Sequence, residues 1–212
     1  KGLLKIIPRK VLSDSGSGSF SWISTALSDA NIEAQGFINQ GKAVVYSLSL
    51  GAGGTMHGPT EAAMKSATEM GVLIFCAAGN TGSTPVNQPA SSIYATAIGA
   101  LKQSGTGAVR DSYSTYGPQL FLAAPGSAIL STYKNNTTAL LSGTSMATPL
   151  AAAVSAILLS IFNTATPASI KSHLSSFATD IPPDGKDDYT GWGSPIINKL
   201  LDNPVSGTPP PP

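Results

Sequence analysis

Cysteine is nearly missing from this chain. Cys76 stands alone among 212 residues, which excludes an internal disulfide framework and a cysteine-based zinc cluster. Histidine is almost as scarce: His57 and His173 lie far apart and make a poor zinc pair. Charge is thin, with Lys, Arg, Asp and Glu making up 11% of residues and a net charge of +1. With no long basic run, a nucleic-acid partner held through its phosphates is not expected. No membrane partner is expected either. The longest apolar run, Met146 to Phe162, is short, rich in Ala and interrupted by Pro149, so it reads as a buried helix. The first residues lack the apolar core of a signal peptide. With Lys1 in first place, the expectation is an end made by cleavage or a piece of a longer chain.

What the chain does have is apolar mass and many turns. Hydrophobic residues make up 42%, and there are 22 Gly and 16 Pro, four of them in the last four positions. This suffices for one domain with a substantial core, assigned to residues 1–202, with 203–212 as a Pro-rich tail or linker. Leu3 to Leu12 reads as extended, with Pro8 suiting a sheet edge. Ser13 to Ser19 is a loop by composition. Phe20, Ile23 and Leu27 recur at helical spacing and predict a helix to about Phe37. Ala43 to Leu50 is a β-rich run ending in glycines, and Thr60 to Met70 a helix. Val72 to Cys76 is a continuous apolar strand that stops at Ala77-Ala78-Gly79-Asn80. Ala95 to Leu101 and Gln119 to Ala124 predict two more strands, Ser145 to Phe162 and Ala168 to Ser176 two more helices. Apolar strands alternating with helices predict an α/β fold with a mostly parallel sheet between helices.

Chemistry concentrates in Ser142-Gly143-Thr144-Ser145-Met146-Ala147-Thr148-Pro149. A loop entering an apolar helix with Ser at the junction exposes a hydroxyl beside free backbone N–H groups and the positive helix end. Alone, such a Ser is usually only a helix cap. The wider pattern resembles the subtilisin-like (subtilase) serine proteases. Gly143 to Pro149 is similar to their nucleophile motif, with Ser145 matching the nucleophile. Ala77-Ala78-Gly79-Asn80 resembles the substrate-pocket strand and the Asn of the oxyanion hole. Ser49-Leu50-Gly51 resembles a segment that pairs with substrate. Ser15 to Ser19, with Ser17 and Gly18, then Trp22, resembles the opposite binding strand and the helix after it. Tyr113-Ser114, Gly117-Pro118 and Ala124-Pro125-Gly126 follow in the family's order.

The resemblance implies a three-layer subtilisin-like fold and a serine endopeptidase. Ser145 and Asn80 would be catalytic; Ser17, Gly18, Ser49, Leu50, Gly51, Ala77, Ala78, Gly79 and Thr144 would bind a peptide or protein substrate. No cofactor or metal is expected, because Phe121 stands where many members carry a calcium-binding Asp. The family's Asp and His motifs, with the first strands and the His-bearing helix, have no counterpart here. Asp14-Ser15-Gly16 and His57-Gly58-Pro59-Thr60 imitate them in the wrong segments, and His173 reads as a surface residue. An N-terminal segment or chain bearing the Asp and the His is therefore expected as partner. Without it the chain should be close to inactive. The alternative is a pseudoprotease acting as a peptide-binding module. Gln88-Pro89 falls where relatives often have a cis proline, and Cys76 reads as a buried inert thiol. The overlapping sequons at Asn135-Asn136-Thr137-Thr138 favour an extracellular or secretory location. Ala77 to Gly79 implies a roomy apolar pocket for large uncharged residues.

Overall fold

The apolar runs around Val45 and Leu73 become parallel neighbours, β1 (Val45–Leu48) and β2 (Leu73–Ala77), in a computed structural model that describes residues 4–162 and 164–205. β3 (Thr96–Ser104) continues the parallel sheet beside β2, and β5 (Leu120–Pro125) lies parallel on its other side. Between them in sequence, β4 (Gly107–Arg110) folds back antiparallel on the far end of β3. The two faces of β2 explain the layering. Leu73 and Phe75 share a core with Ala147, Ala151 and Leu158 of α3 (Thr144–Ile161). Ile74 and Cys76 point the other way, toward Ile23 and Leu27 of α1 (Phe20–Ile38) and Met64 and Ala67 of α2 (Gly58–Glu69). Alternation along a strand buried on both faces yields helix, sheet, helix. The expected α/β architecture is therefore present. Two more helices, α4 (Pro167–Phe177) and α5 (Ile197–Leu201), pack onto the α3 side, and Val205 is buried there too. The expected Pro-rich tail otherwise falls at 206–212, outside the described residues.

Local chemistry sets the helix starts. Ser19 caps α1 by accepting from the Trp22 N–H at 3.3 Å. His57 caps α2 through Nδ1, 3.3 Å from the Thr60 N–H, with Pro59 in the first turn where its missing donor is harmless. α3 is long and apolar enough to cross a membrane by length and composition, yet it packs against β1, β2, β3 and β5.

Several expectations need correction. Residues 4–12 form no strand, because no neighbouring ladder pairs with them among the described residues. Residues 4–10 lie exposed instead, tied to α1 by an Arg9–Glu33 ion pair and by Lys5 over the Phe37 ring, while Val11 and Leu12 are half-buried. Leu3 falls outside the described residues. His173 is buried, not superficial: its Nε2 is 2.9 Å from the Leu200 carbonyl oxygen, and Phe162 and Phe177 flank the ring. The hairpin β6 (Ile129–Tyr133) and β7 (Thr137–Leu141) was not anticipated. Gln88-Pro89 is cis, as expected, and so are Thr84-Pro85 and Pro182-Pro183. Cys76 is fully buried, as expected, and that burial pushes its thiol well above the usual range.

Candidate active site

Ser145 occupies the second position of α3, and Pro149 shapes its surroundings. Lacking an N–H, Pro149 leaves the Ser145 carbonyl without its helical partner. The Ser49 hydroxyl, just beyond β1, donates to that carbonyl at 2.7 Å. The helix start is thereby fastened to the end of β1. In return the Ser145 Oγ lies 3.4 Å from the Ser49 carbonyl oxygen, a weak bond that leaves the hydroxyl half-exposed.

Asn80, one residue past the β2 turn, faces the same helix start. Its Oδ1 accepts from the Thr144 N–H at 2.8 Å and from the Thr144 hydroxyl at 3.0 Å. The same hydroxyl accepts from the Gly79 N–H at 3.2 Å. With its oxygen pinned twice, the Asn80 amide must turn Nδ2 away from Thr144. Among the described residues neither Asn80 Nδ2 nor the Ser145 N–H has a protein partner. Two donors thus stand unpaired beside one hydroxyl. Close packing favours glycine here: a Cβ on Gly143 would come within 3.2 Å of Asn80 Nδ2, and Gly79 has φ +117° with Thr115 Oγ1 2.9 Å from its missing Cβ.

The turn before the nucleophile is held from behind. The Gly126 carbonyl accepts from the Gly143 N–H at 2.8 Å and from the Tyr113 hydroxyl at 2.9 Å. Tyr113 lies 3.0 Å from Ser127 Oγ, which donates to Asp111 in turn. Burial tends to raise the Asp111 carboxyl. The Ser127 bond, the Lys102 charge and the bonds from Ser112 outweigh it, and the group sits below the usual carboxylate range.

These elements border a cleft of about 560 Å³. Ser17, Gly18, Ser49, Leu50, Gly51, Ala77, Gly79, Asn80, Thr144 and Ser145 all line it. Ala78 does not: its side chain is fully buried, and its backbone bonds Ile98 and Asn87. Neither histidine lines the cleft, and among the described residues neither does any Asp, Glu, Lys or Arg. His57 is engaged as the α2 cap and stacks on Phe20, while Asp14 sits exposed beside Lys10. Leu12, Phe20, Ile23, Thr81 and Asn87 were not foreseen as cleft residues. Asn87 arrives through a two-way backbone bridge between Ala52 and Gln88, both bonds 3.0 Å, which no local pattern announces.

The Subtilase family model (peptidase S8) matches residues 3–193. The chain belongs to the subtilase family. It is 38% identical over 189 residues to M-protease from Shouchella clausii (strain KSM-K16), covering 89% of this chain and 45% of that protein. Thermitase from Thermoactinomyces vulgaris is 36% identical over 193 residues, covering 91% of this chain and 63% of that protein. The solved structure of sphericase superposes with a TM-score of 0.81 at 28% identity, covering 88% of this chain and 66% of that one. The subtilase chain described here thus spans roughly half to two thirds of the length of these relatives.

Proposed function

We propose that this chain is the serine-bearing part of a serine endopeptidase. The observation that carries the reading is the pair of unpaired donors, Ser145 N–H and Asn80 Nδ2, beside a half-exposed hydroxyl at a helix start. In the reaction, Ser145 Oγ forms a bond to the peptide carbonyl carbon as a base removes its proton. The carbonyl oxygen becomes an oxyanion, and the two donors stabilise it where its charge develops. Collapse expels the amine, which takes up the proton, and leaves an acyl-enzyme on Ser145 that water then hydrolyses.

The base is not among the cleft residues. We assign it, with the Asp that orients it, to a segment outside these 212 residues. Support comes from the other duties of His57 and His173 and from the greater length of the relatives. The free edge of β1 among the described strands fits a further strand. Asn135 and Asn136 lie exposed at the tip of the β6–β7 hairpin, which accords with an extracellular location.

The test is hydrolysis of a fluorogenic peptide by the protein purified from its source. Replacing Asn80 with Ala should lower kcat about 10²–10³-fold with little change in KM, the size of loss known from subtilisin when one such donor is removed. A loss confined to KM would contradict the assignment of Asn80 to the transition state.

A further inference from the structure

The cleft wall formed by Ala77 and Gly79 is not purely apolar, because Asn87 lies against it. A Cβ on Gly79 would meet Asn87 Nδ2 at 2.6 Å, so the amide rests directly on the glycine's open face. The Asn87 backbone N–H is held by the Ala78 carbonyl at 2.9 Å, which fixes the residue's place. Its side-chain amide has no partner among the described residues and is not sealed from solvent. Other polar atoms near this wall are engaged, save Asn80 Nδ2, which serves the carbonyl oxygen in the reading above. Thr144 Oγ1 and Asn80 Oδ1 bond each other, Ser49 Oγ serves the Ser145 carbonyl, and Thr81 Oγ1 lies 2.9 Å from both Ser83 and Thr115. Among the described residues no ionisable group lines the cleft.

We infer that Asn87 makes the cleft selective for a carboxamide side chain, glutamine or asparagine, on the residue whose carbonyl Ser145 attacks. This rests on the peptidase reading above. Gly79 directly precedes Asn80, which contacts the carbonyl oxygen, so the side chain of that same substrate residue falls on the Gly79–Asn87 wall. A carboxamide offers one donor and one acceptor edge, and a second carboxamide matches both with two N–H···O bonds. An aliphatic side chain covering Asn87 strips its water and leaves the amide unpaired. A charged side chain loses water and gains no counter-charge. The neutral hydrogen-bonding residue is favoured over both.

The experiment measures binding, so that it does not depend on turnover. The full-length protein carrying Ser145→Ala is titrated with labelled peptides that differ only in having glutamine, norleucine, glutamate or lysine at that position, read by fluorescence anisotropy. Glutamine should bind about tenfold tighter than norleucine, the worth of a net hydrogen bond or two. Asn87→Leu, which keeps the branched shape without the polar atoms, should erase or reverse that ratio. Asn87→Asp should weaken glutamine and strengthen lysine. Equal affinity for glutamine and norleucine, a ratio that neither variant moves, or no binding at millimolar peptide would each overturn the inference. Labelling of Ser145 by a fluorophosphonate in the unmutated protein reads the peptidase assignment separately. Labelling without the glutamine preference removes only the selectivity claim; preference without labelling removes only the peptidase claim.

Discussion

Thr144 serves two partners with one hydroxyl, accepting from the Gly79 N–H and donating to Asn80 Oδ1. It is fully buried, and its loss leaves the Gly79 N–H without its partner and removes one of the two bonds on Asn80 Oδ1. Thr144→Val should therefore cost about 1–3 kcal/mol of stability, seen as a lower urea midpoint at unchanged m-value. It should also loosen the Asn80 amide, then held by the Thr144 N–H alone, lowering kcat more than it changes KM. Valine at full stability would show that the clamp is dispensable. Gly79→Ala meets a harder obstacle, since φ is +117° and the new Cβ would collide with Asn87 and Thr115. At this scale the sequence was most readable where a residue type is demanded by chemistry. Ser145, Asn80 and the glycines around them stood in a recognisable motif, and they share one cleft. Asn87 was illegible because its role depends on a loop meeting Gly51 and Ala52 from far along the chain.

At the scale of elements, the turn between β5 and the β6–β7 hairpin is coupled to the nucleophile through Gly126, Tyr113, Ser127 and Asp111. The Asp111 carboxyl is held below its ordinary value in the folded chain. Its contribution is therefore fully present above the unfolded carboxylate pKa and is lost as pH falls through the depressed folded value. Asp111→Asn should lower stability near neutrality and flatten the acid limb of a urea-midpoint versus pH curve. An acid limb identical to that of the unmutated protein would remove Asp111 from the account. Helices and buried strands were legible because their apolar period is local: α1, α2, α3 and β2 lie within a few residues of expectation. The β6–β7 hairpin was not, since its strands are largely exposed and carry no core-facing alternation. Residues 4–12 looked strand-like in type, but a strand needs a partner, and the described sheet offers none beside them. His173 misled for a related reason. A polar residue late in a helix suits solvent unless another segment, here the α5 carbonyl of Leu200, arrives to meet it.

For the molecule as a whole, two well-packed layers of helix enclose a sheet whose β1 edge is unpaired among the described strands. The core on the α3 side is fully closed at Phe75 and Leu158, so Leu158→Ala should destabilise by about 2–5 kcal/mol in thermal or urea unfolding. A change under 1 kcal/mol would mean that this side is looser than described. The cleft, by contrast, is assembled only in part. It has a hydroxyl and two unpaired donors, but among the described residues no ionisable side chain to take the Ser145 proton. Ser145 is, on this reading, a nucleophile activated from outside these 212 residues. Fluorophosphonate labelling with intact-mass readout, on residues 1–212 alone and on the protein purified from its source, tests it most directly. One adduct at Ser145 is expected in the purified protein and almost none in the isolated chain. Equal labelling of the isolated chain would contradict it and return His57 to consideration as the base.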